Sequence, residues 1–191
     1  MKITKIDLGC GLEKIKGADG LDIKDVQGIK YKHDMNKFPY PIKANSYEEI
    51  YCNHILEHVD DLIKVMEEIY RIGKNGARIY IRGPHASCSK TLWTDPTHKR
   101  GFSTRLFIEY FSNNGRWSYY TKANFALEKM RINYVFDSNS RIPKAISSFL
   151  TYLANINLFS QEFCERLWAN WVGGFEEIEV ILRIDKKTIN L

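Results

Sequence analysis

Lys5-Ile6-Asp7-Leu8-Gly9-Cys10-Gly11 is the stretch that decides the fold of this chain. An apolar strand, Ile3 to Leu8, runs straight into Gly-x-Gly. Glycine carries no Cβ, so a ligand can approach the backbone closely there. A plain tight turn would give the same three residues, so the stretch needs company. Gly20-Leu21-Asp22 ends a second short strand, Ala18 to Ile23, and Asp34 follows a third, Ile29 to His33. A carboxylate at Asp22 can take both hydroxyls of a ribose, through charge-assisted bonds worth about 1.5–3 kcal/mol. A carboxylate at Asp34 can accept from an exocyclic adenine amine. One strand-end carboxylate is common; Gly-x-Gly, Asp and Asp at three successive strand ends are much less so.

Working outward, Phe38-Pro39-Tyr40-Pro41 forces an extended stretch, because proline fixes its own φ and restricts its predecessor. Ile50 to Asn53 reads as a buried strand. Asp61 to Ile72 reads as a helix, with Leu62, Val65, Met66, Ile69 and Ile72 on one apolar face, Asp60 or Asp61 as its cap, and Gly73 and Gly76 at its end. Ala77 to Ile81 is the next strand, stopped by Gly83-Pro84. From His85 to Asn124 periodicity is weak, apart from a helix near Thr104 to Phe111. Leu127 to Phe136 reads as a strand. Glu177 to Ile184 is another, with Ile178, Val180, Leu182 and Ile184 alternating against Glu177, Glu179 and Arg183. Between these two lie amphipathic helices over Lys144 to Ile156 and Gln161 to Trp171.

The pattern predicts an α/β fold: a Rossmann-like, mostly parallel sheet with an antiparallel last strand. A single domain spans 1–191, with a helical insert at about 141–172 before the last strand. Only ten residues, Leu12 to Leu21, separate Gly11 from Asp22. A parallel crossover normally needs a dozen or more, so the first crossover helix is shortened or lost. The stripes Phe149, Leu150, Leu153, Ile156 and Phe163, Leu167, Trp171 read either as packing on the sheet or as a lid, a homodimer surface or a seat for a greasy substrate.

The formal net charge of +5 is mild and its cations are scattered, which argues against a dedicated nucleic-acid module. The four cysteines form no CxxC, and no signal peptide is apparent; both point to free thiols and a cytoplasmic location. No apolar run reaches the roughly 18 residues of a membrane span.

The ordered motifs D-L-G-C-G (7–11), G-L-D-I (20–23), H-D (33–34), F-P-Y-P (38–41), E-E-I-Y-C-N-H-I-L-E-H-V (48–59) and R-I-G-K-N-G-A-R-I-Y-I (71–81) resemble a class I S-adenosylmethionine-dependent methyltransferase of the type-11-like kind. The resemblance covers roughly the first half of the chain. It implies S-adenosylmethionine as cofactor. Asp7, Gly9, Cys10 and Gly11 would hold its methionine part, Asp22 its ribose, Ile23 the adenine face, and Asp34 and Met35 the adenine edge. Asn53 and His54 would face the sulfonium and methyl group. The sequence departs from the family at Glu13, where a third glycine is usual.

Methyl transfer to an oxygen also needs a base, and histidine suits neutral pH. His98 and His85, in the polar segment after the fifth strand, are expected on the acceptor side, with His54 as a third catalytic candidate. Lys99 and Arg100 could hold a phosphate or carboxylate of the substrate. No protein-bound metal is expected. His54 and His58 would share a face only on one helix, and the spacing of His85, Cys88 and His98 matches no zinc pattern. The expected acceptor is a small molecule, a sugar or a lipid-linked compound. The alternatives are an RNA or protein methyltransferase, or a non-catalytic S-adenosylmethionine-binding partner protein. Replacing Asp22 by Ala should weaken cofactor binding roughly tenfold or more, given the bonds lost; calorimetry showing unchanged affinity would sink the assignment.

Overall fold

The computed structural model describes residues 4–25, 28–135 and 142–186. One seven-stranded sheet runs through it in the order β3-β2-β1-β4-β5-β7-β6. The strands are β1 (Lys5–Leu8), β2 (Asp19–Asp22), β3 (Tyr31–Lys32), β4 (Tyr47–Asn53), β5 (Gly73–Pro84), β6 (Phe125–Asn133) and β7 (Glu177–Ile184). β1 to β5 pair in parallel, and β7 lies antiparallel between β5 and β6. This is the mostly parallel sheet with an antiparallel last strand that the sequence predicts. Ile3, Phe136 and Arg141, at the edges of expected elements, lie outside the described residues.

Helix α1 (Leu62–Ile72) starts at Asp61, whose carboxylate accepts the Lys64 N–H, and buries Val65, Met66, Ile69 and Ile72. It passes directly into β5 at Gly73, where a Cβ would lie 2.2 Å from Ile184 Cδ1. The face it covers includes Ile6, Ile50, Ile79 and Leu182, each fully buried, a burial worth about 1.5–3 kcal/mol per side chain. Helix α3 (Thr104–Glu109) extends that core through the rings of Phe102, Phe107, Phe111 and Phe125, whose successive centroids are 5.9, 6.4 and 6.5 Å apart. Helix α2 (Ser89–Thr94), which weak periodicity concealed, interrupts the loop after β5.

Between Gly11 and Ala18 the chain makes only turns, as the short spacing requires. Asp7, buried, accepts the Ile15 N–H at 2.8 Å, and Lys14 Nζ donates to the Ala18 carbonyl. The sheet face opposite α1 stays half exposed along β1, β4, β5 and β7. It carries ion pairs, Lys5–Glu49 at 2.9 Å, Arg78–Glu128 at 2.8 Å and Arg183–Glu128 at 3.1 Å, around the stacked rings of Tyr51 and Tyr80.

The insert departs from expectation. It comprises α4 (Lys144–Ala154), α5 (Leu158–Phe163), a wide π-type turn at Cys164–Trp168, and α6 (Ala169–Val172), so the single second helix read from periodicity is interrupted. Its stripes are split: Leu150 packs against the core and Leu153 is half-buried, but most of the large side chains face outward. Phe149, Ile156, Phe163, Leu167 and Trp171 are exposed, Trp171 at 88%, whereas Ser147, Thr151, Ala154, Gln161 and Cys164 are buried. The reason lies at the outer edge of β6, whose backbone groups need partners. Asn155 accepts the Ile132 N–H at 2.9 Å and donates back to the Ile132 carbonyl. Thr151 Oγ1 accepts the Tyr134 N–H at 3.0 Å, and Gln161 Nε2 donates to the Met130 carbonyl at 3.1 Å. Small polar side chains therefore face inward and most of the large apolar ones are left outside.

Asn155→Ala would strand both backbone groups of the fully buried Ile132. The expected cost is about 1–3 kcal/mol, read by calorimetry as a lower melting temperature. The exposed Phe159→Ser should leave that temperature nearly unmoved.

Candidate functional site

The strand order changes direction between β1 and β4, and open parallel sheets bind ligands at such a switch point, beyond the strands' carboxyl ends. Four turns meet there. Gly9, at φ +65°, follows β1; a Cβ on it would sit 2.2 Å from Ile55 Cγ1. β2 delivers Asp22, which accepts the N–H groups of Gly11 and Lys24, both at 2.9 Å. A carboxylate offers about four lone-pair positions, so two remain for a ligand. Asp34 accepts the Asn36 N–H at 2.9 Å. Gly9, Asp22, Ile23, Asp34 and Met35 line one cavity of about 180 Å³ together with His33, Asn36, Ile55, His58 and Val59. Five of the ten residues expected at the cofactor thus share one concavity. Asp7 is instead turned to the loop, and Cys10 is buried, its thiol pushed up by that burial and by the Asp7 carboxylate. Gly11 and Asn53 border the site without lining this cavity.

β4 ends at Asn53, and His54, next in the chain, adopts φ +49°, a conformation strained for a side-chain-bearing residue. Its Nε2 meets Glu177 at 3.0 Å and its Nδ1 lies 3.3 Å from Glu57. Burial opposes charge on this ring, but Glu177 and Glu57 outweigh it and raise its pKa to about 9. His54 is therefore an imidazolium at neutral pH, which corrects its candidacy as a base.

A second cavity of about 320 Å³ lies beyond it, lined by His54, Pro84, Lys90, Thr91, Thr94, Asp95, His98 and Glu176. Six of these eight come from the segment 84–102 expected to form the acceptor wall. His98 is one of them. Its Nδ1 donates to the Leu92 carbonyl at 2.8 Å, and its Nε2 faces Glu57 at 3.9 Å.

The other acceptor-side assignments are corrected. His85 is 1% exposed, with Nδ1 at 2.7 Å from Ser87 Oγ and Nε2 at 2.7 Å from Glu165. Glu165 also accepts the Thr104 N–H at 2.8 Å. The wide turn at Cys164–Trp168 carries this glutamate; the network ties insert to core and leaves no ring nitrogen for a substrate. Arg100 donates to the carbonyls of Leu56, Val59 and Asp60, and Lys99 pairs with Asp60. Both cations brace the turn after His54. Lys90, paired with Glu176 at 3.3 Å, is the lysine in the cavity wall.

The sequence reading missed Glu57 and Glu177, both fully buried. Glu177 looked like the solvent side of an alternating strand, yet it accepts from His54, Arg82 and Asn133. The only signal was an acid at the start of β7, facing the strand end that carries His54.

A methyltransferase-domain family model matches residues 20–81. No curated protein matches the chain. Solved structures are similar over nearly the whole chain. A S-adenosylmethionine-dependent methyltransferase from Archaeoglobus fulgidus shares 14% identity at a TM-score of 0.56, covering 95% of this chain and 88% of its own. One from Mesorhizobium loti shares 14% identity at 0.56, covering 95% and 91%. At such identities these likenesses show the fold.

Burial pushes the Glu165 carboxyl up, but His85 and Thr104 outweigh it and hold it below the usual range. Its contribution to stability is then complete above the unfolded carboxylate value near pH ~4.3 and is lost as pH falls through the lower folded value. Glu165→Ala should cost about 1–3 kcal/mol by leaving His85 Nε2 and the Thr104 N–H without their acceptor. Acid titrations of stability should show that the variant lacks this part of the wild-type slope.

Proposed function

We propose that this chain, a class I S-adenosylmethionine-dependent methyltransferase, methylates a hydroxyl group of a small-molecule or sugar acceptor seated in the 320 Å³ cavity. One observation carries the reading: the two cavities share a partition, with His58 in the wall of one, His98 in the wall of the other, and Glu57 and His54 between.

The residues on the β1–β3 side fit the cofactor. Asp22 keeps lone pairs for ribose hydroxyls, Asp34 offers an acceptor to the adenine amine, and Ile23, 61% exposed, gives a flat apolar cover. Ligand pockets usually measure about 300–1,000 Å³, so the 180 Å³ cavity would hold the adenosine end alone. Gly9 and Gly11, in a segment of turns without a helix, would hold the methionine end. When bound, S-adenosylmethionine supplies an electrophilic methyl group on a sulfonium.

The chain's own part is alignment, charge balance and exclusion of water. Glu57 and Glu177 flank His54, so the imidazolium does not present an uncompensated charge to the sulfonium. Thr91, Thr94, Asp95, Lys90 and Glu176 offer donors and acceptors in alternation, which suits a polyhydroxylated acceptor. With Nδ1 of His98 committed to the Leu92 carbonyl, Nε2 bears the ring's lone pair on the partition beside the acceptor, and His98 is the ring through which the chain acts on the hydroxyl.

His98→Ala should lower turnover by roughly 10²–10⁴. Cofactor affinity and melting temperature should stay nearly intact. The readout is S-adenosylhomocysteine release with a panel of sugars and small alcohols. A fall in melting temperature with a proportionate, smaller loss of activity would mean that His98 only braces the loop. Tight cofactor binding without release on any acceptor would favour the non-catalytic reading.

A further inference from the structure

Glu57 is fully buried, and neither carboxylate oxygen has a hydrogen-bond partner. Such a group is costly to keep, because a buried carboxylate without hydrogen-bond donors loses its hydration and recovers only part of it through nearby charge. The 3.3 Å approach of His54 Nδ1 brings opposite charge without hydrogen-bond geometry. One ligand-capable atom each of Glu57, His58 and His98 lie within 4.8 Å of one another.

The two histidines are set up alike. His98 Nδ1 faces a carbonyl oxygen, that of Leu92, so it must donate, and Nε2 bears the lone pair pointing toward Glu57. His58 Nδ1 lies 2.9 Å from Thr97 Oγ1. That hydroxyl spends its own proton on Asp95 Oδ1 at 2.6 Å, so it accepts from His58 and leaves the lone pair on the ring's Nε2. Outer hydrogen bonds of this kind, from imidazole to carbonyl or through hydroxyl to carboxylate, orient metal-ligating histidines and fix their tautomer. The His58 and His98 rings meet edge to face at 4.7 Å between centroids.

We propose that Glu57, His58 and His98 bind one divalent first-row metal ion in the partition between the two cavities. Two imidazole nitrogens and one carboxylate make a three-ligand set, which leaves coordination positions open. His98 borders the 320 Å³ cavity, so an open position faces the acceptor. This part of the inference rests on the reading above: the ion would be the route by which His98 acts on the acceptor hydroxyl. As a Lewis acid it would lower that hydroxyl's pKa and hold its oxygen in place. The released proton would leave to solvent through the cavity mouth. His54 stays outside the ligand set, since Glu177 and Glu57 already engage both its nitrogens.

The test is a titration of chelator-treated protein with Zn²⁺ and, separately, Co²⁺. Wild type should bind one equivalent, raise its melting temperature on metal addition, and give the visible absorption of low-coordinate Co²⁺ with nitrogen and oxygen ligands. His98→Ala and Glu57→Gln should each bind at least about 100-fold more weakly and lose the metal-dependent rise. Thr97→Val should weaken binding by about 10–100-fold through its ligand's orientation. Glu57→Gln keeps the shape of the buried side chain, and its metal-free melting temperature is measured beside that of metal-free wild type; Thr97→Val, which touches no buried charge, carries the test if Glu57→Gln melts lower. Less than a tenth of an equivalent bound by wild type, or unchanged affinity in His98→Ala, would overturn the site. Methyl transfer assayed in parallel keeps the two readings apart: metal binding without turnover on any hydroxyl acceptor defeats the acceptor reading alone.

Discussion

One guanidinium holds the two halves of the site together. Arg100 donates to the carbonyls of Leu56, Val59 and Asp60, the acceptors left over where the chain turns away from β4. Bonds from a charged donor are worth about 1.5–3 kcal/mol each, and these three span some forty residues of sequence. They pin the segment after α2 against the turn after His54, and the Lys99 N–H adds a bond to the Glu57 carbonyl at 2.9 Å. Without that clamp His98 would have no reason to face Glu57, and Asp95 and Thr97 would not reach His58. Parallel strands supply only the ledge; the clamp brings the second wall to it.

Much of this was legible in the residues. Strand ends give themselves away because glycine and aspartate have local reasons to follow a short apolar run, and Asp22, Asp34, Ile23 and Met35 do share a cavity. The absence of a first crossover helix could be read from residue spacing alone, since geometry forbids it. The walls were harder. Arg100 and Lys99 looked like substrate cations because composition cannot say whether a charge faces a ligand or a backbone carbonyl. His85 looked reactive for the same reason, yet Ser87 and Glu165 consume both its nitrogens. The Glu57, His58 and His98 cluster was hidden by some forty intervening residues, and spacing rules see only ligands close in sequence.

The insert shows a different limit. Periodicity gave amphipathic helices but could not say which way their apolar faces turn, and most of those side chains face outward. The usual inference assumes that what a helix covers is apolar. Here it covers the raw edge of β6, whose needs are hydrogen bonds, so Asn155, Thr151 and Gln161 turn inward. Leu, Phe and Trp side chains that would ordinarily mark a core then lie exposed on the insert's outer side.

The placement of β7 bears on how the chain reaches this state. The last strand in sequence is not last in space: it lies between β5 and β6 and pairs with both. Until it arrives, β6 has no strand beside it in the sheet. The insert immediately precedes β7, so its amide and hydroxyl groups can cover the outer edge while the inner one waits. Such long-range closure is slow, since distant chain segments must meet before their contacts repay the lost entropy. The same step carries Glu177 to His54. Completion of the sheet therefore also completes the partition, and a chain arrested before it would display the ledge formed by β1 to β4 without the wall that Glu177 closes.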